Sequence, residues 1–195
     1  MEIVNRVAES AIETVDLAAL APAEDVVPFD LEPFLYRGLV LREREFRQSL
    51  KDHDWTATAG RHVAVFCSAD ALVPAWAYML VASKLEGAAS VTAATPEEVR
   101  RARFAEALAA HDWAQYEGVP VVLKGCGTDA VPTDGFVQAT RRLQGVASKV
   151  MYGEPCSSVP VWRRPSASGP AGAKPAGVKP AVAKPAGVRP AGPPR

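Results

Sequence analysis

Long uninterrupted apolar runs are missing from this chain. The most apolar stretch, residues 69–85, is broken by Asp70, Pro74 and Lys84. It is too short and too interrupted to span a bilayer and reads as a buried helix. A glycine-rich phosphate loop is missing too: CSADA and CGTDA stand where GxGxxG or GKS would have to be, which argues against a Rossmann-type site, and no nucleotide cofactor is expected. There is no serine elbow and no HExxH. Cysteine is scarce. Three residues are an odd number that internal disulfides cannot use up, which suits a reducing compartment. The opening MEIVNRVAES has an acid at position 2 and no apolar core, so no signal peptide is expected and the natural location is cytoplasmic, away from membranes.

The net charge is zero over 195 residues, but the balance is uneven. Residues 163–195 hold seven cations and no acid, which leaves 15 basic residues against 22 acidic ones in 1–162. An acidic body is a poor nucleic-acid binder, because phosphate contacts need clustered Lys and Arg. From Pro170 the tail repeats PAGAK-like pentads. Proline at this density blocks helix and sheet, and Ala, Gly and Val alone build no core. The expected organisation is an α/β domain over 1–162 and a disordered tail over 163–195. The tail's cations could touch nucleic acid or an acidic protein face, or could simply be solvated.

Within the body, apolar runs alternate with helical patterns. HVAVFC (62–67), SVTAA (90–94), VPVVLKG (119–125) and KVMYG (149–153) read as strands. Between them lie helices over 69–86, from Thr95-Pro-Glu-Glu98 to about Ala110, and from Asp134 to about Gly145. Thr95 and Glu98 have the spacing of a capping box, with proline at the first helical position. Strand–helix alternation with continuously apolar strands predicts a parallel sheet with helices on both faces, in a single domain. SAIETVDL (10–17) and VVPFDL (26–31) are candidate edge strands, Pro28 excluding a central position, and 41–51 reads as a charged helix.

One motif occurs twice. His53-Asp54-Trp55 and His111-Asp112-Trp113 are each followed by a glycine seven places after the histidine, then by an apolar run ending at Cys67 or Cys126. A duplicated metal site would need His and Cys within bonding distance, about 2.0–2.3 Å from one ion. In a parallel layer the triplets precede the strands and the cysteines follow them, so a strand's length, roughly 17–20 Å, separates the two. The repeat therefore reads as a turn used twice, with histidine at a helix C-terminus, aspartate in the turn and tryptophan closing the core. His62, at a strand start, falls on the same wrong edge.

All three cysteines follow strand ends, in CSAD, KGCGTD and GEPCSS. That edge is where open α/β sheets bind ligands. With a flavodoxin-like order 2-1-3-4, the strands before Cys67, Cys126 and Cys156 would be neighbours. Three thiols could then converge on zinc or an iron–sulfur cluster if the loops at 126–134 and 153–160 curl inward. Asp70, Asp129, Asp134 and Glu154 are nearby oxygens, with Asp70, Glu154 or Asp129 as a possible fourth ligand. Lys124 could tune a thiolate, and a helix starting after Cys67 would favour one there. Two other readings stay open. Cys67 could serve a thiol enzyme or sulfur carrier, or the cysteines could be small packed hydrophobes of a non-catalytic interaction module.

The segments MEIVNRVAES, HDW, CSADALVPAWAYML, KGC and RRLQGVASKVMYGEPCSSVP together resemble the uncharacterised bacterial family called domain of unknown function 2480, typical of Bacteroidetes. The resemblance covers residues 1–162 and leaves out the tail. The family has no established activity to carry over. The resemblance implies an accessory role in iron–sulfur or sulfur metabolism, with iron–sulfur assembly proteins as partners, and its motif cysteines correspond to Cys67, Cys126 and Cys156.

Overall fold

A computed structural model describes residues 12–23, 26–125 and 131–165. The N-terminal segment, Cys126 to Ala130 and the tail from Ser166 lie outside the described residues, and with them the expectations for Asp129 and for the repeated pentads.

The strands form two parallel ladders instead of one continuous sheet. The first runs β1 (Glu13–Asp16), β7 (Pro120–Lys124), β8 (Lys149–Glu154), β9 (Ser157–Arg163), with β9 antiparallel at its edge. The second runs β2 (Val26–Asp30), β5 (His62–Phe66), β6 (Ser90–Ala93). A small hairpin joins β3 (Leu35–Tyr36) and β4 (Val40–Leu41). This corrects the expected order 2-1-3-4. The strand before Cys67 is not beside the strand before Cys126, because β1 and β2 occupy the edges through which β7 and β5 would have met. Both N-terminal strands are edge strands, as Pro28 requires of β2.

Four helices cover the ladders: α1 (Glu43–Asp52), α2 (Ala75–Ala82), α3 (Pro96–Ala110) and α4 (Thr133–Val146). Side chains alternate across β5. Val63 and Val65 pack with Phe46 and Leu50 of α1 and with Ala77 and Val81 of α2, while Ala64 packs with Val26 and Val99 on the opposite face. Helices thus lie on both faces of an α/β domain. In the other ladder Val121, Leu123 and Val150 pack with Phe104 and Leu108 of α3 and with Ala139 and Leu143 of α4. Val99 and the pair Phe104 and Leu108 point to roughly opposite sides of α3, so this helix is packed from both sides and ties the ladders together. It opens with the expected capping box: Thr95 Oγ1 accepts from the N–H of Glu98, whose Oε2 accepts from the N–H of Thr95. At the crossing of α3 and α4, Gly135 lets the buried Phe104 ring approach to where a Cβ would lie 2.3 Å from it.

Two further corrections concern element lengths. Instead of spanning 69–86, α2 starts at Ala75 after Pro74, and Leu72 and Met79 are exposed, so the run is only half-buried. The segment 153–160 is a hairpin into β9 rather than an open loop. Arg163 closes that strand, and Arg164 donates to the carbonyls of Gly145 and Val146, so both belong to the domain.

Candidate functional site at the strand ends

At the start of each central strand, the repeated triplet builds one turn twice. His53 and His111 end α1 and α3 in extended conformation. Asp54 Oδ1 accepts from the N–H of Thr56 at 2.9 Å, and Asp112 Oδ1 from that of Ala114 at 3.0 Å. The indole N–H of Trp55 donates to the carbonyl of Leu50 at 3.1 Å, and that of Trp113 to Leu108 at 2.7 Å. These bonds satisfy carbonyls that a helix end leaves open. A single 3-10 turn follows each, at Thr56–Thr58 and Ala114–Tyr116. Gly60 at φ 68° and Gly118 at φ 72° then take the left-handed conformation that glycine adopts without strain. The hydrogen bonds from the N–H and hydroxyl of Thr56 hold the Asp54 carboxyl below its ordinary range, with the nearby His53 adding to the effect. His53 rests edge-on against Trp55 and Phe29. The ring of His111 lies edge-on to Trp113, with its Nε2 3.2 Å from the Tyr116 hydroxyl. The third histidine, His62, has Nδ1 3.1 Å from Arg103 Nη1 and 2.7 Å from Ser90 Oγ. Arginine only donates, so in the contact with Arg103 Nδ1 can act only as acceptor. These histidines are bound into turns and packing.

At the other end of the strands there is a second duplicated turn, which the sequence reasoning missed. Asp16-Leu17 and Asp30-Leu31 each finish an edge strand and lead into a 3-10 turn, Ala18–Leu20 and Glu32–Phe34. Asp16 Oδ1 accepts from the N–H of Ala18 at 3.0 Å, and Asp30 Oδ1 from that of Glu32 at 2.9 Å. The N–H groups of Leu17 and Leu31 donate to Lys124 and Phe66 at the ends of the neighbouring strands, and both leucines are fully buried. The signal was present in VDLAAL and FDLEPF. The described elements thus repeat one pattern, interleaved along the chain: β1-β7-β8 with α3 and α4 matches β2-β5-β6 with α1 and α2.

The free carboxylate oxygens reach across to the central strands. Asp16 Oδ2 lies 3.4 Å from Lys124 Nζ, so the cation expected to tune a thiolate is engaged by an aspartate. Asp30 clamps the chain after β5. Ser68 donates its N–H to Oδ1 at 3.0 Å, and its hydroxyl lies 2.5 Å from Oδ2 and 2.8 Å from Glu32 Oε2, able to donate to only one at a time. Burial pushes the Asp30 carboxyl up, but the hydrogen bonds from Glu32, Ser68 and Leu31 outweigh it, and the group is held below the usual aspartate range.

The clamp fixes the backbone beside Cys67, which is half-buried at the end of β5. Cys67 and Tyr78 of α2 both pack against the core of the β2-β5-β6 ladder, and burial first, with the nearby Cys67 second, raises the Tyr78 hydroxyl pKa. Contrary to expectation, no helix starts directly after Cys67: α2 begins eight residues later, at Ala75. Cys156 is exposed at the tip of the β8–β9 hairpin, beside the exposed Glu154. Asp70 is exposed in the chain before α2. Cys126 lies outside the described residues, two places past Lys124, the position that Ser68 holds past Phe66 in the other ladder. Among the described residues no group of three or more His, Cys, Asp or Glu side chains is placed to hold a metal ion.

Two of the open pockets among the described residues bear on the surface. One, of about 600 Å³, lies between β6 and α3 and includes His62, Ser90 and Arg103. The other, about 540 Å³, is a largely apolar groove between α4 and the β8–β9 hairpin, walled by Phe136, Val137, Tyr152 and Val161.

The architecture defines a class: an α/β protein of two short parallel ladders, each closed by an Asp-Leu turn at one end and a His-Asp-Trp turn at the other. Within that class the chain belongs to the family described as Protein of unknown function (DUF2480), whose family model matches residues 1–164. No curated protein and no solved structure matches it. Among the described residues no helix is long and apolar enough to cross a membrane.

Proposed function

We propose that the domain is an accessory protein of sulfur or iron–sulfur metabolism that works through thiols at the strand ends, with Cys67 the central one. The observation that carries this is the placement of Cys67 at the C-terminal edge of a parallel ladder, where open α/β sheets bind ligands, half-buried against the ladder's core and next to a backbone pinned by Asp30 and Ser68. A thiol or sulfur-carrier role needs only Cys67. Zinc or an iron–sulfur cluster held jointly by Cys67, Cys126 and Cys156 makes a further demand, since their strands belong to two ladders and the sulfurs have to bridge them. The thiol reading is therefore the stronger one.

The test is elemental analysis of anaerobically purified full-length protein beside Cys67→Ser, Cys126→Ser and Cys156→Ser, combined with iodoacetamide labelling of the folded chain. The thiol reading expects Cys67 to label in the folded protein without bound metal. Joint ligation expects about one metal equivalent in the wild type and loss of most of it in each variant, because ligation by deprotonated thiols is cooperative with folding. No metal together with an unreactive Cys67 sinks both and leaves a non-catalytic interaction module, the reading that the open apolar groove beside α4 favours.

A further inference from the structure

The groove beside α4 is an open, largely apolar surface between that helix and the β8–β9 hairpin. Leu143 and Ala139 of α4 face the sheet, and on the side away from α3 the hairpin continues outward with nothing described above it. Tyr152, Val159 and Val161 of that hairpin are exposed, as is Val137 of α4, which is 57% accessible. The β8–β9 pair is antiparallel, so no crossover helix covers it, and an open apolar patch beside a helix is the mark of an interaction surface.

The outward face of α4 says what an occupant of the groove must carry. Asp134, Val137, Arg141 and Gln144 recur at three- and four-residue spacing, which places them on one stripe. Asp134 and Arg141 are exposed. Neither forms an ion pair among the described residues; the Asp134 carboxylate takes only an intrahelical hydrogen bond from Gln138 at 2.6 Å. The stripe is self-complementary. In two antiparallel α4 helices related by a two-fold axis near Val137 and Gln138, Asp134 of each copy faces Arg141 of the other, with the two Val137 side chains near the axis. An isologous contact of this kind meets each charge with its opposite twice. Addition of a strand at the β9 edge is the less suited route, because Pro160 removes a donor there and a register shift interrupts the pairing between Val150 and Met151.

We propose that the groove is occupied by α4 of a second copy of this chain, giving a two-fold dimer in which each helix roofs the partner's β8–β9 face. The dimer goes beyond the thiol reading and does not depend on it.

Charge exchange tests it on the full-length chain. Wild-type protein should sediment as a concentration-dependent dimer in analytical ultracentrifugation. Arg141→Glu and Asp134→Arg each put like charges opposite one another and should each give monomers with unchanged circular dichroism, since both positions are exposed. Mixing the two variants in equal amounts should restore a dimer, because each chain then supplies the charge the other lacks, and the double variant on one chain should dimerise by itself. A wild type that stays monomeric at every concentration reached overturns the proposal, as would a ligand or another protein found in the groove of that monomer. A dimer that neither single variant weakens overturns it too, as does failure of the mixture to reassociate.

Discussion

Replacing Gly135 by alanine measures how tightly the two helices that share the four-stranded ladder are pressed together. Glycine inside a helix costs about 1 kcal/mol relative to alanine, so wherever space allows the change should stabilise. At Gly135 it does not: an added Cβ would stand 2.3 Å from Cε1 and 3.0 Å from Cδ1 of Phe104. That ring is 2% exposed and packed among Leu108, Leu143 and Val121, so it cannot swing aside without disturbing the core. Overpacking of this kind costs about 1–3 kcal/mol. After the propensity gain, Gly135→Ala should be destabilising by up to about 2 kcal/mol. Gly145, in the same helix, has nothing within 4 Å of its added Cβ, and Gly145→Ala should stabilise by a few tenths to about 1 kcal/mol. Urea denaturation of both variants gives the difference directly. Phe104→Leu should cost less in the Gly135→Ala background than alone, because the shorter side chain vacates the space. If Gly135→Ala stabilises as much as Gly145→Ala, the close crossing of α3 and α4 is wrong.

The depressed Asp30 carboxyl gives a pH dependence. Its folded pKa lies below the unfolded value, about 3.9, so its contribution is fully present above that pH and is lost as the pH falls through the folded value. Asp30→Asn should therefore destabilise by about 1 kcal/mol at neutral pH, where Ser68 loses an anionic acceptor, and the gap to wild type should narrow below about pH 4. Melting temperatures measured from pH 3 to 7 check this, and a constant gap would show that Asp30 is not held ionised by the clamp. The paired indoles predict a ranking. Trp113→Phe removes a buried hydrogen bond and should cost about 2–3 kcal/mol, whereas Trp55→Phe, at a half-buried site, should cost about 1–2 kcal/mol. Equal losses in denaturant would mean that the two turns are not loaded as their burial implies.

Local patterns carried much of this structure. Thr95-Pro-Glu-Glu98 determined where α3 starts, because all partners of a capping box lie within four residues. Pro28 placed β2 at an edge because proline lacks a donor. The two His-Asp-Trp triplets identified a repeated turn, since Asp-to-backbone and Trp-to-carbonyl bonds close within five residues.

Partner choice among strands was decided only in three dimensions. His62–Phe66 and Pro120–Lys124 are equally apolar, and nothing in either run tells it to pair with β2 or β1 instead of with the other. The edges taken by Val26–Asp30 and Glu13–Asp16 settle that over separations of 36 residues (Val26 to His62) and 108 residues (Glu13 to Val121). The convergence expected of the three cysteines rested on strand order and changed with it. The Asp-Leu clamps went unread for a similar reason. An aspartate closing a strand acquires its role only when the neighbouring strand delivers the Ser68 hydroxyl or the Lys124 ammonium to its second oxygen, and that meeting of distant residues belongs to the tertiary structure alone.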